Sequence, residues 1–306
     1  MVRPAPAASR AVEILYYLTA HPRRAFTLSE LVRALGINVA SAHAILAVLT
    51  DSGLVIRDPV HKTYVLGPAL AAVGFAALDQ HPSVNVAIAE ADRLAAELSL
   101  DVYVTAHAGH DVIFLAHRGG HLTGWHSGDP GYPGDRALLR APWGAVFVAW
   151  ADNDTIERWI GPSSPDTAER YRHVLGEIRR NGFSVATSAM LAPRIVGALI
   201  TIRDAPTDAE AQASLTATLY DTAGQPFLLD EVAPDATVHP ASIIAPIFDP
   251  AGSVLLSLSA AGFHEPVTLS QLHQLGERVR KSAESVTRRT RGVVPSSDAR
   301  DVHPLC

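Results

Sequence analysis

Residues 27–66 read TLSELVRALGINVASAHAILAVLTDSGLVIRDPVHKTYVL. Thr27 and Glu30 make a T-x-x-E capping box that opens a helix. Leu28, Leu31, Val32 and Leu35 follow at helical spacing, so one face is apolar. Gly36 closes that helix, because the terminal turn needs positive φ. Asn38 is an N-cap for a second helix, along which Val39, Ala42, Leu46 and Leu49 share one side. Ala40, Ser41, His43, Ala44, Ala47 and Val48 then face outward. Gly53 ends this helix, and two β-type runs follow, Leu54–Arg57 and Thr63–Leu66, joined by Asp58-Pro59-Val60-His61-Lys62. Upstream, SRAVEILYYLTAH supplies a first helix with Ala11, Leu15 and Leu18 on one face. The pattern predicts a winged helix-turn-helix, which presents its second helix to a major groove. A helical hairpin with a β-ribbon packed as plain core is the alternative.

Outward from this head, residues 1–8 read as a Pro/Ala-rich mobile arm. Arg23 and Arg24 lie in the loop before Thr27 and suit phosphate contact or plain solvation. After the wing, Pro68 opens PALAAVGFAALDQ, a helix apolar nearly all round, which needs burial here or against a partner chain. His81-Pro82-Ser83 breaks the chain, giving a head at 9–67, a linker helix at 68–82 and a second domain at 83–291, with a disordered tail at 292–306. The second domain begins with an amphipathic helix over 84–99 and alternating strands DVYVTA and HDVIFLAH. Further helices are expected near 142–150, 154–160 and 166–181, and FSVATS reads as a strand. A long amphipathic helix, with Leu272, Leu275, Val279 and Val286 on one side, closes the domain. The fold class is α+β, with an antiparallel sheet in the second domain.

Composition fits this division. The chain has 306 residues, 48% of them hydrophobic, enough for two cores. Net charge is −6, unevenly spread. Residues 1–80 carry +2, residues 81–269 carry −11 and residues 270–306 carry +3. Acidity is thus confined to the middle, away from the proposed DNA reader, and a slightly basic head gains counterion release by doubling its contacts in a dimer. No apolar run has the length of a membrane span, and no hydrophobic signal core opens the chain. The single cysteine, Cys306, leaves no internal disulfide, consistent with a reducing cytoplasm.

Residues 9–75, SRAVEILYYL…LSELVRALGINVASAHAILAVLTDSGLVIRD…KTYVLGPALAAVG, resemble the DNA-binding domain of IclR-type transcriptional regulators. The order ELxxxLG, a short turn, LxxLxxxGL and YxLGxxL carries the resemblance, which continues more weakly to about residue 290. It implies operator DNA and a small-molecule effector as partners, a homodimer or tetramer, and no cofactor or catalytic residue. It implies that the linker helix pairs with its twin, through Leu70, Val73, Phe75 and Leu78. It implies a GAF-like effector-binding domain whose cleft takes an aromatic or carboxylic acid, lined here by Phe114, His117, Trp125, Arg140, Trp143, Phe147, Ser257 and Ser259. DNA-binding candidates are Asn38, Ala40, Ser41, His43, Ala44, Arg57, His61, Lys62, Arg23 and Arg24.

The sequence departs from the family in three places. Regulators of this type carry an arginine where Ala44 stands, and no Lys or Arg lies between Asn38 and Ile56. Reading would then rest on Asn and Ser hydrogen bonds, thymine-methyl contacts and shape, with Arg57, His61 and Lys62 on the wing. In PGDRALLRAPWGAVFVAW, Ala137 and Ala145 replace the usual Pro and Lys. Between Gly182-Phe183 and the family-like strand Ile244–Asp249 stand about fifty extra residues, the insertion 189–240, in which VGALITI and TATLYDTAGQPFLLDEV read as strands. Its role is open between partner contact, lid and spacer.

The five histidines His107, His110, His117, His121 and His126 lack a metal-signature spacing, and a hairpin would splay them, so no metal site is assigned. No nucleophile elbow, phosphate-binding loop or dinucleotide fingerprint occurs. The alternative function is a small-molecule-binding or catalytic protein whose helix-turn-helix has lost its operator.

Overall fold

The computed structural model describes residues 5–119, 131–187, 197, 200, 201, 203–210, 213, 227–233 and 235–295. These fall into two compact units. The first holds residues 5–81, 131–135 and the described part of 193–218; the second holds the rest.

In the first unit, α1 (Pro6–Ala20) takes in the last three residues of the stretch read as an arm. Proline at its first turn loses no hydrogen bond there, which corrects the arm's boundary. Next come β1 (Phe26–Thr27), α2 (Leu28–Leu35), α3 (Val39–Asp51), β2 (Val55–Arg57) and β3 (Thr63–Leu66). The predicted capping box is formed: Glu30 N donates to Thr27 Oγ1 at 3.3 Å and Thr27 N donates to Glu30 Oε2 at 2.8 Å. The Thr27 amide first, then the Thr27 hydroxyl and Arg24, donate to the Glu30 carboxyl and hold it below its ordinary range. Gly36 adopts the left-handed conformation and ends α2. Asn38 Oδ1 accepts from Ser41 N at 2.7 Å and opens α3. The wing has three strands, in the order β1-β3-β2. Ile14, Leu18, Phe26, Leu31, Ala42, Leu46 and Val55 form the core between them. Then α4 (Ala69–Gln80) runs with no buried residue.

The second unit is built on a six-stranded antiparallel sheet in the order β6-β5-β4-β10-β9-β7. Its strands are β4 (Asp101–Ala108), β5 (Asp111–Arg118), β6 (Arg136–Leu138), β7 (Ser184–Thr187), β9 (Pro240–Phe248) and β10 (Val254–Ala261). A small ribbon pairs β8 (Thr237–Val238) with β11 (Val267–Thr268). Strand alternation divides the side chains between two faces. Val102, Val104, Ala116, Ile243, Ala245, Leu256, Leu258 and Ala260 pack under α5 (Pro82–Leu98) and α9 (Leu269–Arg289). On the other side Val112, Phe248 and Val254 pack with α6 (Ala145–Val148), α7 (Asn153–Ile160) and α8 (Pro165–Asn181). Side-chain caps start these helices: Asp152 before α7, Ser164 before α8 and Thr268 with Gln271 before α9.

The insertion departs from its expected strands. Gly197, Ile200 and Thr201, described residues of VGALITI, are helical. Thr201 Oγ1 donates to Gly197 O at 2.9 Å and Ala205 N to Thr201 O at 2.9 Å. A seven-residue apolar run fits helix or strand equally by periodicity, and local bonding decides it. Leu229–Glu231, read as strand, is a 3-10 turn whose amides are held by Glu177. The first half of the expected hairpin at 216–232 lies outside the described residues.

Candidate nucleic-acid interface and ligand face

The exposed side of α3 carries Val39, Ala40, His43, Ala44, Ala47 and Val48, while Ala42, Ile45, Leu46 and Leu49 are buried. Val39, expected inside, is 58% exposed; Ile45 takes its place. A helix of Ala, Val, Ile and Leu offers two apolar stripes, and periodicity alone cannot choose between them. Asn38 and Ser41 both serve the helix start. Ser41 Oγ also accepts from Arg10 Nη1 of α1 at 3.3 Å. An arginine therefore stands at the N-terminal end of α3 although none lies within it. The sequence signal was there: Arg10 sits one turn before buried Ile14 on a helix that packs against α3.

The remaining DNA candidates divide. Arg57 is exposed, its guanidinium 5.9 Å from the Tyr64 ring centre, and Lys62 is exposed at the wing tip. His61 Nδ1 lies 3.0 Å from Asp58 Oδ2. That bond, with the amides of His61 and Val60, holds the Asp58 carboxyl down at about 2. His61 is thus occupied in shaping the turn. Arg24 pairs with Glu30 at 2.9 Å and lies over the Phe26 ring, so it is tied into the head, whereas Arg23 is exposed.

In the second unit the rows of the sheet gather a polar and aromatic face. Ser259 pairs with Tyr103, and Tyr103 with His117; Ser257 pairs with Thr105, and Thr105 with Phe114. A bulge between Val104 and Thr105 puts Phe114 in register with that second row. Thr105 Oγ1 and Ser257 Oγ share a hydrogen bond of 2.7 Å. The Tyr103 ring lies 5.9 Å from Phe114, edge-on, and 4.9 Å from His117. Its burial, then the Asp101 charge, pushes the phenol well above its ordinary value. His117 Nε2 lies 2.7 Å from Oδ1 of Asp101, which is fully buried. Asp101 Oδ2 has no partner among the described residues. Gly119 and Gly262 close on that carboxylate: a Cβ on either would stand within 2.8 Å of an oxygen. A buried carboxylate held by one imidazole fixes the ring's tilt, and the unpartnered oxygen is an acceptor for a donor from a bound molecule.

The expected lining residues are therefore only partly brought together. Phe114, His117, Ser257 and Ser259 share this face; Trp125 lies outside the described residues. Phe147 lies on α6 and is buried in the helical core, 6.1 Å from His107. Trp143 gives its carbonyl to Trp159 Nε1 at 2.6 Å, and the Arg140 carbonyl accepts from Trp143 N. Tyr103, Thr105 and Asp101 were missed, although the alternation in DVYVTA puts all three on one side. Of the histidines, His107 Nε2 lies 2.9 Å from Gly109 O and His117 turns to Asp101. His121 and His126 lie outside the described residues. His173, Glu177 and Asp230 do converge, their ligand atoms within 4.8 Å of one another. Glu177, however, accepts the amides of Leu229 and Asp230, and His173 lies 2.8 Å from Asp230, so the group is a hydrogen-bonded brace.

A family profile for the IclR helix-turn-helix domain matches residues 7–59. No curated protein matches at a comparable level. Among solved structures, an IclR transcriptional regulator from Alicyclobacillus acidocaldarius is 20% identical, with a TM-score of 0.64, covering 94% of this chain and 100% of that one. An IclR homologue from Microbacterium hydrocarbonoxydans, solved with 4-hydroxybenzoate, is 17% identical, with a TM-score of 0.58, covering 92% and 99%. The Thermotoga maritima IclR is 16% identical, with a TM-score of 0.52, covering 94% and 99%. Residues 7–59 thus match the IclR helix-turn-helix domain, and the fold of the chain is similar to that of solved IclR regulators.

Proposed function

We propose that the protein is a sequence-specific DNA-binding transcriptional regulator whose second domain senses a small molecule, and that it acts in the cytoplasm as a homodimer or tetramer without a cofactor. The observation that carries this is the exposed stripe of α3, from Val39 to Val48, flanked by Arg10 at its start and by Arg57 and Lys62 on the wing. Small apolar side chains fit thymine methyls, while the three cations fit phosphates and groove edges. Arg10 supplies the charge whose absence from α3 motivates the alternative of a helix-turn-helix without an operator. No catalytic residue is assigned. Among the described residues, no single helix is long and apolar enough to cross a membrane.

The test is footprinting of the purified protein on the DNA flanking its own gene at two salt concentrations. A protected palindrome whose affinity falls steeply with salt is expected. Lys62→Ala and Arg57→Ala should each weaken binding uniformly and lower the salt slope by about one unit. Arg10→Ala should cost about tenfold and relax specificity beside the start of α3. Binding no stronger than to random DNA would sink the reading.

The ligand reading rests on the face built by Tyr103, Thr105, Phe114, His117, Ser257 and Ser259. Two rings supply apolar contact, and three hydroxyls with a tethered imidazole supply polar partners, a mix suited to a small aromatic or carboxylic acid. The protein from Microbacterium hydrocarbonoxydans, solved with 4-hydroxybenzoate, shares the fold and lends support. In a thermal-shift screen of such acids, a hit should stabilise the wild type. Ser259→Val and His117→Ala should lower its affinity about tenfold, since each takes away a polar partner. Equal stabilisation of all three proteins would place the ligand elsewhere.

A further inference from the structure

Part of the insertion absent from the family pattern belongs to the first unit and not to the sheet domain. Residues 203–210, which lie in sequence between β7 and the Leu229 turn, pack within the first unit, against the helix-turn-helix. Polar contacts hold them. Tyr17 Oη donates to Asp204 O at 3.2 Å, His21 Nε2 lies 3.0 Å from Asp204 Oδ1, and Thr207 Oγ1 donates to Ala34 O at 3.1 Å. The His21 side chain is only 9% exposed, tilted against Tyr17 and edge-on to Phe26, and its Nδ1 lies 2.7 Å from Tyr17 O. Burial draws the Asp204 carboxyl upward, but hydrogen bonds from His21 and Arg203 outweigh it and keep the group below its ordinary value. A second excursion, residues 131–135, meets the same end of α1: a Cβ on Gly134 would stand 2.7 Å from the Thr19 methyl. Two separate segments thus converge on Tyr17, Thr19 and His21.

The place of the third contact gives this packing a consequence. Ala34 is at the end of α2, and Thr207 also lies against Gly36, the residue that turns the chain into α3. The recognition helix reads bases with its N-terminal residues, so Thr207 sits beside the reading end. Asp208 and Glu210 follow at once and are exposed, with Glu210 N bonded to Asp208 Oδ1. Carboxylates held there repel the phosphates that Arg10 and the wing cations attract.

We propose that residues 203–210 form an autoinhibitory clasp, docked on the α1 end and the α2–α3 turn of the head, which lowers DNA affinity until it is released. The docking stands on the contacts alone; its inhibitory sign rests on the DNA-binding reading above. The full-length chain is compared with three variants: Asp204→Ala with Thr207→Ala to undock the clasp, Asp208→Asn with Glu210→Gln to remove charge only, and Asp204→Glu to restore a carboxylate. Asp204 is half exposed and Thr207 and Asp208 exposed, so the fold survives these changes. Hydrogen exchange and binding to DNA upstream of the protein's own gene are both measured. Undocking should speed exchange about tenfold at residues 17–24 and 34–38 and raise DNA affinity about fivefold, more at low salt. The charge-only variant should raise affinity with exchange unchanged, and Asp204→Glu should stay near wild type. Unchanged exchange in the undocked variant overturns the clasp. Faster exchange with unchanged or weaker DNA binding overturns its inhibitory role. If no form binds DNA, the DNA reading and the inhibitory sign fall together, while the exchange result still decides the docking.

Discussion

Changing Val73 and Phe75 together to aspartate is expected to leave both units folded, to make the protein monomeric and to lower DNA affinity by about a hundredfold or more. Between Ala69 and Leu78 the sequence has no charged or polar side chain, yet α4 buries none of its residues within one chain. Val73 is 59% and Phe75 69% exposed, with Ala71, Ala72, Ala76 and Ala77 exposed between and beyond them. Leaving such side chains in water forfeits roughly 25 cal/mol for each Å² of apolar surface, so covering this stripe with a partner helix would be favourable. Intramolecular burial, the other reading of this helix, is not what the fold adopts. A twin α4 would cover the stripe, and two aspartates placed there would meet their own copies across it, unpaired and stripped of water. The loss in DNA binding follows from tethering. Once one head is bound, its twin finds the second half-site at an effective concentration in the millimolar range, and a monomer forfeits that gain. Sedimentation measures the state of assembly, and footprinting titration the affinity. A variant that stayed dimeric at micromolar concentration with wild-type binding would remove α4 from the interface.

The parts of this molecule legible in sequence are those fixed by local chemistry. Thr27 and Glu30, Asn38, Ser164 and Thr268 with Gln271 all start helices as their side chains dictate, because a cap satisfies amides within one turn. The alternation of β4 and β10 likewise sends Val102, Val104, Leu256 and Leu258 into the core. Illegible were the decisions made by distant partners. Thr105 meets Ser257 across 152 positions, a pairing set by strand register that no local pattern contains. Arg10 reaches Ser41 only because α1 crosses α3, and 31 positions separate them. Val39 and Ile45 exchanged places because α3 is apolar on both sides and only tertiary packing selects its buried stripe. VGALITI was read as strand from its apolar run, whereas its described residues Gly197, Ile200 and Thr201 are helical, and residues 203–210 meet the head, more than 160 positions earlier in the chain.

Gly276 is the position where one methyl group should cost most. It lies in the interior of α9, where glycine is worth about 1 kcal/mol less than alanine in helix propensity. By propensity alone, Gly276→Ala should stabilise. Packing reverses the sign. A Cβ at this position would stand 2.2 Å from Cζ of Phe183 and within 2.6 Å of both Cε atoms, against a ring that is itself 2% exposed. Phe183 is surrounded by the cluster that holds α9 to the sheet, so neither ring nor helix can retreat without opening the core. Overpacking of this kind costs about 1–3 kcal/mol, and a contact this short against an enclosed ring belongs at the upper end. The expected net is a loss of about 2 kcal/mol, seen as a lower urea midpoint with an unchanged slope. Phe183 also stands directly before β7, after which the chain departs toward the clasp. Displacing the ring should therefore loosen the edge strand first, with faster hydrogen exchange over residues 184–187 than over β4 and β10. Gly276→Ala with Phe183→Leu should recover part of the stability, since the shorter side chain leaves room for the methyl. Equal stability of Gly276→Ala and wild type would mean that α9 is free to shift away from the sheet.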